Sequence, residues 1–369
     1  MKKILFVALA ATLLAAGCQK TEIINRVGDR IGFTSEMGKL TKAEGDTEDQ
    51  LASLKKQNFK VWAYTAYEDA LNGKSRGQIY DEIEGIEIKY DAAATTENKW
   101  VTSNNMDYYW PGKEYDLDFY GVSTGKEDIT VTITSPGTEA LGTRKVEITG
   151  YEVATETADD DLMVAEFVRQ NQTDKDSKAV SMHFNHALAK VTFSFKTSGS
   201  KDVIVTALEV NQLTLNGTLT ATEKSASNNN TNNGSGSNPE NGGQVATRST
   251  TENDATRAAI DLKWTAAAAP KTDKVTRTFT NDKLTSTAVP YTTWLVIPQT
   301  LEGKNVKISY KIGDKEFTHV FALADNAKLP TGWDVNQSIT YTITLTPNTI
   351  SFVPSVQPWD EEKEITEVN

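Results

Sequence analysis

At 369 residues the chain is long enough to bury a sizeable core and to form two domains of ordinary size. Its 50 acidic residues against 38 basic ones leave a formal charge of −12, with no basic run to reverse it locally, so the phosphates of nucleic acids and the headgroups of anionic lipids repel it. A single cysteine excludes an intrachain disulfide, and packing with hydrogen bonding must hold the fold.

The chain opens on Lys2 and Lys3, followed by an unbroken run of Ala, Leu, Ile, Val, Phe and Thr over residues 4–16. That run is too short for a hydrocarbon core, which needs about 20 apolar residues, and suits the apolar centre of a signal peptide. Leu14-Ala15-Ala16-Gly17-Cys18 then reads as a lipobox, with Ala15 where Leu is usual. Residues 1–17 are therefore expected to be a lipoprotein signal peptide, and Cys18 the lipidated mature N-terminus. Acyl chains there would tie the protein to a membrane, each buried CH₂ contributing about 0.8 kcal/mol. Losing Lys2 and Lys3 takes the formal charge from −12 to −14. Residues 18–29 form a lipid-proximal spacer, of which 19–25 reach at most about 25 Å.

Ile31 and Phe33 share one face of a first short strand, and a polar loop follows over 44–50. From residue 59 the strand signal strengthens. Phe59, Val61 and Ala63 alternate with Lys60, Trp62 and Tyr64, so both faces carry apolar bulk and the strand is expected in the middle of a sheet. Ile86 and Ile88 alternate with Glu87 and Lys89. Tyr108-Tyr109-Trp110-Pro111-Gly112 makes an aromatic corner. Leu117 and Phe119 alternate with Asp116, Asp118 and Tyr120, and the pattern recurs at 129–133, 146–148 and 161–169.

A polar stretch at 170–178 is the expected domain junction. Strands resume at 180–184, 191–195, 204–205 and 208–215, with Asn216-Gly217 as a turn signal. Residues 224–258, dominated by Asn, Ser, Gly and Thr, hold too little apolar surface to fold and read as a disordered loop. An edge strand is expected at 260–264 and a buried one at 294–298. Two more form a hairpin across Gly313-Asp314. Ile339, Tyr341, Ile343 and Leu345 alternate with threonines, and Pro354 and Pro358 confine the last strand to a sheet edge. With no long helical period, these strands point to an all-β fold of one β-sandwich per domain. The expected divisions are 30–176 and 177–360, with an acidic tail at 361–369.

No chemistry declares itself. His183 and His186 are three apart in a strand, on opposite sides, with no spaced carboxylate or thiol to complete a metal site, so each is expected in the core or at an edge, bonded to backbone. His319 is expected to pack between Phe317 and Phe321. Asp159-Asp160-Asp161 lacks the pattern of a calcium loop and reads as a solvated turn. No phosphate loop, nucleophile elbow or carboxylate pair is present, so neither an enzyme nor a cofactor is expected. Trp62, Tyr64, Tyr108, Tyr109, Trp110, Trp264, Trp333 and Trp359 are candidates for a sugar-binding platform, which leaves a non-polymerising surface glycan-binding lipoprotein as the alternative function.

A set of short motifs in order resembles the fimbrillin family of Bacteroidales-type bacteria, the subunits of type V pili. They are Cys18, Ile31-Gly32-Phe33 with Thr41-Lys42-Ala43 behind it, Tyr109-Trp110-Pro111, and Leu117-Asp118-Phe119-Tyr120. Phe184-Asn185-His186-Ala187-Leu188-Ala189-Lys190, Trp333 before Tyr341-Thr342-Ile343-Thr344-Leu345, and Val356-Gln357-Pro358-Trp359 complete the set. The resemblance implies two tandem transthyretin-like sandwiches and a structural role on the outer membrane and in a fimbrium. It implies proteolytic maturation at Lys42–Ala43, where the family often has Arg, with Arg26 and Arg30 as alternative sites. The strand bearing Ile31 and Phe33 would then be removable, and a strand with Ile350, Phe352, Val356 and Trp359 would be donated to a neighbour. The implied partners are other fimbrial subunits and, through the lipid on Cys18, the outer membrane, with a host or bacterial surface ligand left open.

Overall fold

The computed structural model describes residues 30–37, 52–65, 84–94, 99–112, 116–135, 144–153, 160–173, 179–224, 256–267, 272–280, 283–324, 330–346 and 350–359. Among these, one six-residue helix, Ala52–Gln57, accompanies a fold built otherwise of strands. The expected all-β sandwich fold is what forms.

The largest sheet runs in the order Gly32–Met37, Ala179–His186, Met163–Ala165, Asp116–Ser123, Phe59–Thr65, Ile86–Tyr90 and Trp100–Thr102. Phe167–Asn171 pairs with the start of Asp116–Ser123, and Thr256–Ala258 pairs with Phe167–Asn171 in turn. This sheet curls until its ends meet: the Ile31 N–H donates to the Tyr108 carbonyl at 2.7 Å. The curl encloses a small core of Ile31, Phe33, Phe59, Val61, Trp110, Phe119, Met182 and Phe184. Phe59–Thr65 sits in the sheet interior with apolar residues on both faces, as its composition predicts.

Its second face, with Trp62, Tyr120 and Val122, packs against a sheet of Ile260–Ala266, Asn216–Glu223, Lys145–Glu152 and Thr130–Thr134. Two further four-stranded sheets follow. One orders Val289–Val296, Ala189–Thr197, Gln337–Leu345 and Ile350–Pro358; the other orders Thr272–Thr278, Val203–Thr214, Asn305–Ile312 and Lys315–Ala322. Both contribute to one larger core containing Phe193, Phe195, Leu208, Ile308, Trp333 and Tyr341. Sheets are shared across positions 176–177. Ala179–His186 belongs to the first sheet, and Asn216–Glu223 pairs with Lys145–Glu152.

Several local expectations need correction. Asn216-Gly217 does not turn the chain but begins a strand. A Cβ on Gly217 would stand 2.8 Å from the Thr265 carbonyl oxygen and 3.3 Å from the Trp264 ring, so the glycine serves close strand approach. The end of the expected loop 224–258 is a strand, Thr256–Ala258, where backbone pairing supplies what composition lacks; residues 225–255 lie outside the described residues. His319 is exposed. Its register partner Ile308 is buried, but Lys315–Ala322 is the edge strand and nothing among the described residues covers its inward row fully.

Asp118 does not alternate outward either. The strand lies between two cores, and Asp118 has no exposed surface. It accepts hydrogen bonds from Arg144 at 3.1 Å and, through both oxygens, from Arg169 at 2.9 Å. Arg144 in turn forks onto Glu223 at 2.9 and 2.8 Å. The network joins the first sheet, through Asp118 and Arg169, to the second, through Arg144 and Glu223. A buried carboxylate is tolerated because two guanidiniums and three hydrogen bonds replace its water.

Two outcomes follow. Asp118→Ala leaves Arg144 without its buried counter-charge and should lower unfolding free energy by about 3–5 kcal/mol in urea titration. The Arg144 hydrogen bond holds the Glu223 carboxyl below its ordinary value against the opposing effect of burial. Its stabilisation is present above the unfolded glutamate pKa and fades as pH falls through the lower folded value. Glu223→Gln should therefore flatten the acid limb of stability against pH relative to the parent chain.

Candidate functional site

The two strands singled out for exchange occupy different environments. Gly32–Met37 lies parallel to Ala179–Phe184 at a sheet edge. Ile31 and Phe33 are each 3% exposed and Ser35 is also buried, so the inward row seals the small core. Phe33 meets Phe119 edge-on at 6.1 Å. Arg30 closes the start of the segment, bridging to Tyr109 and pairing with Asp107 at 2.9 Å on the surface. Withdrawing this strand would expose Phe119, Val180, Met182 and Phe184 together with the backbone edge of Ala179–Phe184.

Ile350–Pro358 is also an edge strand, as its prolines predict, but it lies open. It pairs with Gln337–Leu345 over nine residues without a register shift. No side chain described in it is buried, and Val353 and Val356 are 59% and 46% exposed. Ile350, Pro354 and Val356 stand opposite Leu345, Tyr341 and Ile339. Phe352 pairs with Ile343 through its backbone, and its side chain lies outside what is described.

The prolines have a definite orientation. The Trp359 N–H donates to the Asn336 carbonyl at 3.0 Å, so that pair is hydrogen-bonded, and in an antiparallel ladder bonding alternates. Counting back, Gln357, Ser355, Val353 and Ser351 point their N–H groups at Gln337–Leu345, while Pro358 and Pro354 face away from it. Neither proline removes a ladder bond. Both remove a donor from the open edge, which blocks further strand addition there.

Trp359 ends the strand against a buried pair. His186, 4% exposed, places Nδ1 at 3.0 and 2.9 Å from the two oxygens of Asp161, and the Trp359 ring lies over the imidazole at 4.0 Å and 4°. His186 is thus bonded to a buried carboxylate, where a backbone partner is expected from the sequence. Asp161 is buried rather than part of a solvated turn, and Asp160 accepts from Thr124, Gly125 and Tyr151. Sequence spacing carried no sign of this meeting. His183 is half-buried on the other strand face, and no cluster of three metal-ligating side chains occurs among the described residues.

Trp62, Tyr108, Trp110 and Trp333 are buried in the cores, while Tyr64, Tyr109, Trp264 and Trp359 are half-buried. Trp333 donates to the Tyr341 hydroxyl at 2.9 Å, and burial pushes that phenol up to about 12 despite the bond. The four buried rings build the cores of the sandwich. Cys18, Arg26, Lys42 and Ala43 lie outside the described residues, and no helix among those described is long and apolar enough to cross a membrane.

The architecture has relatives. A fimbrial protein from Bacteroides vulgatus superposes with a TM-score of 0.51 at 14% identity, covering 89% of this chain and 99% of its own. A cell adhesion protein from Bacteroides uniformis gives 0.48 at 16% identity, covering 89% and 98%. The tip fimbrial protein Mfa3 from Porphyromonas gingivalis gives 0.36 at 9% identity, covering 82% and 94%. No curated protein sequence matches. At these identities the first likeness shows the fold alone. The family model described as fimbrillin-like, however, matches residues 41–359, well over half of the sequence, and on that match the chain belongs to the fimbrillin-like family.

Proposed function

We propose that this chain is a structural subunit, or an associated tip or anchor component, of a cell-surface fimbria. In this reading it is exported as a lipoprotein on Cys18, held at the outer membrane by that lipid, and assembled with other fimbrial subunits by strand exchange in support of adhesion. Its job is structural and not catalytic. Family membership supports the fimbrial role. The observation that carries the assembly mode is the contrast between the two edge strands: the first seals a core with Ile31 and Phe33, and the last lies on its sheet with no described side chain buried.

The energetics fit that use. Burying Ile31 and Phe33 contributes about 1.5–3 kcal/mol each, so an intact first strand stays in place. A cut at Lys42–Ala43 makes its hold bimolecular, and the effective concentration that kept it seated is lost. The vacated edge along Ala179–Phe184 then offers unpaired backbone groups and an apolar groove, which an extended strand satisfies. Cutting at Arg26 or Arg30 instead frees the lipid and leaves Gly32–Met37 in place, the behaviour of a subunit that does not accept a donor.

Three measurements test this. Limited trypsin digestion of the soluble mature form should cut near Lys42 and convert monomer to oligomer, read by size exclusion; a cut chain that stays monomeric sinks the polymerising version. Deleting residues 350–369 should leave the monomer's cooperative melt in place and abolish the oligomers. On intact cells, the mature N-terminus should be lipidated Cys18 in an anchored form or Ala43 in a processed one.

A further inference from the structure

An edge strand in which no described side chain is buried should peel easily, and it opens from the end away from the tether to its partner strand. The start of Ile350–Pro358 is tethered through the short connection from Leu345 in its partner strand. The end opposite that tether carries Trp359, so a hold placed there acts where the opening starts. A closely built side-chain contact lies at that end.

Each part of the contact is fixed from behind. Gln57 grips the Asp161 backbone twice, donating to its carbonyl at 2.9 Å and accepting from its N–H at 2.8 Å. Asp161 engages His186 Nδ1 and orients the imidazole. Trp359 lies flat on that ring at 4.0 Å, with the Lys190 ammonium 5.9 Å from the indole. His186 ends the same strand, Ala179–His186, whose edge seats the first strand. The last strand is therefore pinned to the element that would receive a neighbour's strand.

We propose that Trp359 and His186 form a clasp that sets how readily the last strand leaves its own sheet. Asp161 and Gln57 are its positioning residues. As a control on assembly the clasp rests on the strand-exchange reading above, but its effect on strand opening is a property of one chain and is measured without any partner.

Hydrogen exchange on the full chain tests it, reading the amides of Ser351, Val353, Ser355 and Gln357, which face the partner strand. Trp359→Ala should speed their exchange about tenfold, as expected for losing a packed aromatic pair, and leave the amides of Gly32–Met37 unchanged. Trp359→Phe, which keeps a stacking ring, should restore most of the protection. His186→Ala should match Trp359→Ala, and the double variant should exchange no faster than the faster single one. Because Trp359 is half-buried at a strand end, its variants keep the fold and carry the test even where His186→Ala unfolds. Exchange within twofold of the parent in Trp359→Ala, or single effects that multiply in the double variant, would overturn the clasp. Oligomer formation after trypsin is read separately. If Trp359→Ala opens the strand and neither parent nor variant assembles, the clasp stands and strand exchange falls.

Discussion

The structure depends on how sheet edges are closed. An unpaired edge presents N–H and C=O groups that water or another strand must satisfy, and in a sandwich it also opens the core between the sheets. This chain closes the critical edge, along Ala179–Phe184, with residues from its own beginning. The small core inside the curled sheet is complete only because Ile31 and Phe33 arrive there, across nearly 150 positions of sequence. An edge of another sheet, beside Gln337–Leu345, is closed by Ile350–Pro358, with prolines on the outside.

The two halves are held in relation by strands that pass between them. Ala179–His186 ends in the first sheet and Ala189–Thr197 starts in the sheet of Gln337–Leu345, separated only by Ala187 and Leu188, both buried. Val203–Thr214 and Asn216–Glu223 make the return in the same way around Leu215. Such connections are stiff, and the Asp118–Arg144–Arg169–Glu223 network adds a brace between the first and second sheets, a pair that neither connection joins directly. Ion pairs of this kind favour one arrangement more than they raise stability, because desolvation offsets much of the attraction.

What was legible in the sequence was alternation. Phe59–Thr65, Gln337–Leu345 and the hairpin across Gly313 each declare a strand through neighbours one or two positions away. Positions decided by distant partners were not legible. Asp118 is spaced like an outward residue and is buried because Arg144 and Arg169 reach it. His186 waits on Asp161 and on Trp359, which is 173 positions away and nowhere signalled. His319 fails in the opposite sense: its parity points inward, but Lys315–Ala322 lies at the margin of its sheet. Gly217 reads as a turn because the residue that crowds it, Thr265, belongs to another strand. For the last strand, edge position is legible from Pro354 and Pro358, while the difference in burial between the two candidate exchange strands is not.

That difference gives the proposed exchange a direction. Moving a strand from one sheet edge to another trades ladder bonds roughly one for one, so backbone pairing contributes little net drive. Side chains decide. In its own sheet the last strand leaves Val356 nearly half exposed, whereas the groove under the first strand buries its inward row almost completely. A strand that passes from the open edge to the groove gains only the remaining share of the about 1.5–3 kcal/mol that full burial of each apolar side chain contributes. The prolines then fix its orientation. Pro354 and Pro358 lie on one side of the strand, so it can pair fully along one edge only, and Ala179–Phe184 offers a single strand to pair with where Gly32–Met37 now lies. A strand built for two-sided pairing would carry no such prolines, and would join edges indiscriminately instead of ending the addition at one subunit.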